Sequence, residues 1–511
     1  MALSKSHYIN TGKHGVLDGT SQQDVDNLFV ELANKKKIVL HFHGGLVSAA
    51  SGMASAERLQ RDCYEPSGAY PVFFIWQSGL LEIIKHNVTK ISGEAMFQIL
   101  LKWVLKFAAG KLGEAIVGKS PAVQLPDDME IHRELERIDQ EVEPFHDWPI
   151  ADNISEITEE EEKAFERALE NDNDFQATVE AIANSAVLVP KMKTDGAKGV
   201  VVEARSSIRT LMSPEIVEQL TKDVEQAHAE GAKGIVIGSK LLLAAGMILV
   251  RVVRRFVKHR DHGLYPTAME EILREFYVAN IGTAIWSAMK QETADTFKKV
   301  KKPPPRGGWY FTKKLQELLV SCTPRPEISL VGHSTGAVFI NNLLAHVQAM
   351  QSEAANPIPQ DFTFSNIIFL APACTFENFR PTVTKYRKLF DNFRMFTMTD
   401  EAEIEDRLVP NVYTRSLLYF VAGVLEPADA VKVDFDKPIV GMKRYYADTS
   451  HVYNLPEIQE ARTFLDSIKD SAVWCPVATS PGPGLFSTSR KHGDFDDDAN
   501  TLASVRYILE N

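Results

Sequence analysis

Five residues, Gly332-His333-Ser334-Thr335-Gly336, stand between an apolar run at 328–331 and a second one at 337–344. The first run is short enough for a buried strand and the second has helical length, so the segment reads strand, tight turn, helix, with Ser334 at the corner. Gly332 and Gly336 have a mechanical role in this reading. Only small residues let a strand and a helix pass each other so closely, and the serine between them is held in a strained backbone conformation. Such a corner presents a hydroxyl above a helix N-terminus. This is the Gly-x-Ser-x-Gly nucleophile elbow, and its chemistry is attack of an alkoxide-like oxygen on a carbonyl. His333 precedes the serine on the strand side and is expected to pack rather than react.

A second feature suits the same chemistry. Residues 38–42 form a buried-strand run that ends in His43-Gly44-Gly45-Leu46. Glycines at a strand end let backbone N–H groups turn inward, where a tetrahedral oxyanion can be held. The expected oxyanion donors are the N–H of Thr335, directly after the serine, and that of Gly45 or Leu46 in the glycine turn. His43 and Gly44 support the turn.

His43-Gly44-Gly45, followed far downstream by Gly332-His333-Ser334-Thr335-Gly336, resembles the α/β-hydrolase superfamily of esterases and lipases. The resemblance covers residues 36–80 and 308–511. It implies an α/β fold with a mostly parallel central sheet flanked by helices. It further implies a Ser–acid–His triad in that chain order, carried at the carboxyl ends of the strands. Asp400 directly follows the apolar run 393–398 and is the expected acid, with Glu377, Asp406 and Glu401 as rivals. His492 lies between the last strand-like run, 472–477, and the closing helical stretch, where the superfamily carries its histidine. His451, in an inserted segment, is the alternative base.

Other elements must position these groups. Runs at 71–76, 366–371, 393–398 and 472–477 read as further strands of one sheet. Residues 1–80 and 308–511 are therefore expected to form the two parts of one core, and 81–307 an inserted, mainly helical cap. A structureless loop of that length does not occur inside a compact domain. Within the insertion, 241–250 is the most apolar stretch, bounded by Lys240 and Arg251 and too short to span a bilayer. A buried cap helix is the expectation, although the basic tail 251–258 allows weak membrane-surface contact through the cap. Lys298 to Gly308 is a breaker-rich return linker.

Gly113-Glu-Ala-Ile-Val-Gly-Lys-Ser120 matches the phosphate-loop pattern, but helical sequence precedes it where a strand is required. The run 494–498 lacks the glycine and terminal glutamate of a calcium loop. Neither a metal nor an organic cofactor is expected. A net charge of −12 over 511 residues argues against nucleic-acid binding, which needs a basic surface. Cys63, Cys322, Cys374 and Cys475 show no paired or metal spacing, and the first ten residues lack a signal-peptide core. A cytoplasmic chain with free thiols is the expectation.

The sequence thus leads to a serine hydrolase that cleaves a carboxylic ester, of hydrophobic or lipid-like character, through an acyl-enzyme on Ser334. Amide and thioester cleavage use the same groups. A binding protein that kept the fold without turnover would carry the same motifs. Oligomeric state is not encoded in any of these features.

Overall fold

The computed structural model describes all residues except 1–2, 46–47, 77–79, 118–124, 188–209, 230–238, 279, 301–303, 354–356, 427–435 and 448–451. At its centre is a seven-stranded sheet, every neighbouring pair parallel, in the order β1-β3-β2-β4-β5-β6-β7. The strands are β1 (Tyr8–Thr11), β2 (Lys37–Phe42), β3 (Tyr70–Trp76), β4 (Glu327–His333), β5 (Phe364–Leu370), β6 (Phe390–Met398) and β7 (Ala472–Cys475). Parallel neighbours need crossovers, and helices supply them on both faces. The central strands β2, β3 and β4 are accordingly buried along nearly their whole length.

The order of the strands decides where a site can form. From β2 the chain moves outward to β3, then returns across β2 to lay down β4, after which β5, β6 and β7 follow in sequence. The direction of winding changes between β2 and β4. A crevice opens outside the carboxyl ends of parallel strands at such a point. Both sequence motifs lie there, because Phe42, the last residue of β2, is in register with Gly332 near the end of β4.

The residues between β3 and β4 are mainly helical. The helix Ser239–Val257 turns Leu241, Ala245, Ile248, Leu249, Val252, Val253 and Phe256 into the same hydrophobic core as the sheet. Its basic end is committed as well: Arg251 pairs with Glu271 and Glu275, and Arg255 with Glu270 and Glu271. No helix among the described residues is long and apolar enough to cross a membrane. Gly113 lies inside the helix Ala95–Val117, so helix and not strand leads into the phosphate-loop pattern; its remainder, from 118, lies outside the described residues. The four cysteines are free, three of them buried. Strand β1 has no counterpart in the sequence reading; four residues without a long apolar run carry too little periodicity to identify.

Candidate functional site

Ser334 sits between the end of β4 and the elbow helix Gly336–Gln351, at φ 55°, a conformation unfavourable for any side chain. The turn is held from the neighbouring strand. Ser334 donates its N–H to the Leu370 carbonyl at 2.8 Å, and its own carbonyl accepts from Ala373 N–H at 3.0 Å. The flanking glycines are required by close approach. A Cβ on Gly332 would stand 2.8 Å from the Gly336 carbonyl carbon, and one on Gly336 would run into the Phe42 carbonyl oxygen. Ser334 is only 2 % exposed, yet it lines a cavity of about 580 Å³.

His492 reaches the serine from the loop before the closing helix Ala499–Glu510, with Nε2 2.9 Å from Ser334 Oγ. Its backbone is held on both sides. The N–H donates to Asp406 Oδ2 at 3.0 Å, and the carbonyl accepts from His333 Nε2 at 3.0 Å. His333 thus positions the loop that carries His492. Burial, and then the neighbouring His333, push His492 down to about 3, so the imidazole is neutral at physiological pH. Its Nδ1 is buried with no hydrogen-bond partner among the described residues. Orphaned buried polar atoms are uncommon in folded chains.

The carboxylates separate into different places. Asp400 does not enter the Ser334 cavity. It is the first residue of a short helix, Asp400–Glu405, whose start is capped by Thr399 Oγ1 accepting from Ala402 N–H. This turn directs Asp400 to a second cavity, of about 880 Å³, where its Oδ1 accepts from Tyr419 O–H at 2.8 Å. Glu401 lines that second cavity too. Glu377 is paired at the surface with Lys437, at 2.7 Å. Of the expected acids, Asp406, where the short helix stops, is the one that lines the Ser334 cavity and touches His492. Burial raises its pKa, opposed by the His492 N–H and by Lys491 and Lys85. The Thr399-Asp400-Glu401 sequence is itself a helix-start signal, and it marks Asp400 as a first-turn residue. His451 and Leu46 lie outside the described residues.

The glycine turn after β2 is organised by His43. Its ring stacks on Trp76, Nε2 accepts from Trp76 N–H at 3.2 Å, and Nδ1 therefore carries the proton that goes to the Gly44 carbonyl at 2.7 Å. Across a trans peptide, the Gly45 N–H then points the opposite way. It donates to Thr335 Oγ1 and not into the cavity. Thr335 N–H, at the start of the elbow helix, meets no acceptor among the described residues. Among the described residues it is the one expected oxyanion donor left uncommitted. Gly44 packs its backbone against Ser334, where an added Cβ would lie 3.2 Å from the serine Cβ.

In chemical terms the site holds a strained hydroxyl, a neutral imidazole on it, a free N–H at a helix N-terminus and a carboxylate on the imidazole's backbone. These groups can move a proton from Ser334 to His492 and stabilise negative charge beside the serine. No group of His, Cys, Asp and Glu side chains among the described residues is arranged to hold a metal ion. The acidic run is committed elsewhere: Asp496 and Asp497 pair with Arg58, and Asp498 caps the closing helix. No protein-family model, curated protein or solved structure matches the chain.

Proposed function

We propose that this chain is a serine hydrolase of α/β-hydrolase type, acting on a carboxylic ester. The observation that carries the reading is the 2.9 Å contact between His492 Nε2 and the hydroxyl of Ser334, which is held at positive φ on a strand–helix corner. Ser334 attacks the ester carbonyl while His492 takes its proton. Thr335 N–H receives the developing oxyanion. His492 then passes the proton to the departing alcohol, and the acyl group stays on Ser334. Water, deprotonated by the same imidazole, releases the acid and restores the serine.

In this mechanism Asp406, and not Asp400, is the acid. For Nε2 to accept the serine proton, Nδ1 must carry the ring's other hydrogen, and that N–H needs an acceptor. Asp406 is already fixed on the backbone N–H of the same histidine and lines the same cavity. It orients the ring and stabilises the imidazolium once formed. Leu81 and Lys85, both between β3 and β4, line the cavity, Leu81 as part of its apolar wall.

Incubating the intact chain with an activated ester and weighing it tests the reading. The expected result is an acyl adduct on Ser334 that decays with turnover and is absent in Ser334→Ala. An adduct of equal yield in Ser334→Ala would overturn it. No adduct alongside reversible binding of the ester would favour a binding protein that kept the fold.

A further inference from the structure

We propose that the turn at 408–415 is the wall that selects the apolar part of the ester in the Ser334 cavity, and that the insertion between β3 and β4 fixes this wall through Glu143. The proposal rests on the hydrolase reading and names what decides substrate choice at that site.

The aliphatic side chains that line the cavity are Leu81, Leu408, Pro410 and Leu417, and all but Leu81 come from the stretch that follows the helix Asp400–Glu405. That stretch folds back on itself. Leu408 N–H donates to the Arg415 carbonyl at 2.8 Å and Tyr413 N–H to the Val409 carbonyl at 2.9 Å, with Asn411 at φ 61° in the tip. Leu408 is buried and Pro410 exposed, so the wall has an inner part and an outer one. Beyond these bonds the turn is tethered to the insertion. Glu143 takes the Arg415 guanidinium on both carboxylate oxygens, with Nη2 2.9 Å from Oε1, and also accepts from Thr414 Oγ1 at 3.1 Å. Tyr413 O–H donates to Glu270 at 2.6 Å, and the Val412 carbonyl accepts from Tyr265 O–H at 2.9 Å. Arg407 donates to the Glu141 carbonyl at 2.6 Å. On its other flank the turn meets the short helix, where Ser416 N–H donates to the Glu403 carbonyl at 3.2 Å.

Glu143 is the strongest of these tethers. A guanidinium held by both oxygens of a carboxylate is fixed in orientation as well as in distance, and here both partners are buried. Glu143 does not line the Ser334 cavity itself, so it is a positioning residue that acts through the turn. An apolar pocket discriminates by how well its walls fit, and only a wall that stays in place can refuse a poor fit. The insertion therefore governs selection from a distance, by holding a turn that belongs to the segment between β6 and β7.

The test measures kcat/KM for two pairs of esters, 4-nitrophenyl hexanoate against the acetate and hexyl acetate against ethyl acetate. One pair varies the acyl group and the other the alcohol. For the pair whose varied group meets the turn, the long-to-short ratio is expected to be about ten or more in the wild type. It falls about threefold or more in Leu408→Ala, which cuts the inner wall back, and changes by a similar factor in Pro410→Trp at the mouth. Glu143→Gln lowers the same ratio, and in that background Leu408→Ala changes it by less than about 1.5-fold, because the wall is already displaced. A merely structural Glu143 would leave the two effects independent and multiplicative. Ratios that neither Leu408→Ala nor Pro410→Trp moves overturn the wall, whether or not Glu143→Gln folds. Independent effects of Leu408→Ala and Glu143→Gln overturn the control by the insertion. In either case normal fluorophosphonate labelling of Ser334 leaves the hydrolase reading standing, whereas a wild type that does not label removes both.

Discussion

Two cavities flank the short helix Asp400–Glu405, and they differ in what their polar groups have left to do. In the cavity of about 880 Å³, which Arg444 also lines, most charges and dipoles meet partners within the protein. Asp400 takes the Tyr419 hydroxyl, Arg415 forks onto Glu143, and Arg444 spends its N–H groups on the Tyr419 and Tyr453 hydroxyls and the Asp261 carbonyl. His262, on the same wall, lies between Glu270 and Asp436, at 2.8 and 3.5 Å. In the Ser334 cavity, the His492 Nδ1, the Thr335 N–H and the side chains of Lys85 and Lys491 have no partners among the described residues. The larger cavity is lined largely by groups bonded to one another, and the smaller one holds the groups that the proposed reaction uses. Between them, on the short helix, lies Glu403. Burial raises its pKa well above the ordinary carboxylate range, in spite of the Ser416 hydroxyl on it.

The comparison breaks most sharply if the two aspartates are exchanged in importance. Asp406→Asn should lower kcat/KM by about 10³–10⁴-fold, the loss expected when a triad histidine is left in the wrong tautomer. Asp400→Asn should change it by less than about threefold, because that carboxylate faces Tyr419. Steady-state kinetics on an activated ester decides, and equal losses would erase the distinction between the cavities.

The next effect concerns stability. Arg255, fully buried, holds Glu270 at 2.7 Å and Glu271 at 3.1 Å, and ties the inserted helices to the segment that carries Tyr413 and Asp436. Burial alone would raise Glu270, but His262 and Arg255 bring it to about 2. Arg255→Met leaves buried carboxylates uncompensated and should cost about 3–5 kcal/mol in urea unfolding. Lys85→Met, at the rim of the other cavity, should cost less than about 0.5 kcal/mol.

The smallest effect is on pH dependence. Burial holds His492 at about 3 and His43 at about 4, below the ordinary imidazole value of 6.5. Both stay neutral in the folded chain while the unfolded chain takes up protons, so their contribution to stability is complete above about pH 6.5 and is lost as pH falls toward about 4 and 3. The melting temperature should decline over that window. The acid limb of kcat/KM should lie below about pH 5, since the base is neutral throughout. A limb centred near 6.5 would mean that His492 titrates as an exposed imidazole.

Much of this was readable from the chain, for identifiable reasons. The elbow was legible because Gly332 and Gly336 are dictated by backbone contact, and contacts of that kind leave a fixed spacing. Six of the strands were legible because a parallel strand covered on both faces is a continuous apolar run. His492 was legible from its place before the last helix. The placement of Asp400 in the other cavity was not legible, because position after a strand says nothing of direction. Thr399 starts a helix there, and one and a half turns decide which cavity each side chain meets. The committed Gly45 N–H was also hidden, since it depends on how His43 turns one peptide plane.

In the proposed mechanism one imidazole activates one hydroxyl, and the rate of fluorophosphonate labelling measures that activation directly. Stoichiometric labelling mapped to Ser334 is expected, lost in Ser334→Ala, slowed by about 10³-fold or more in His492→Ala and unchanged in Asp400→Asn. Labelling that proceeds at the wild-type rate in His492→Ala, or that maps to another residue, would contradict it.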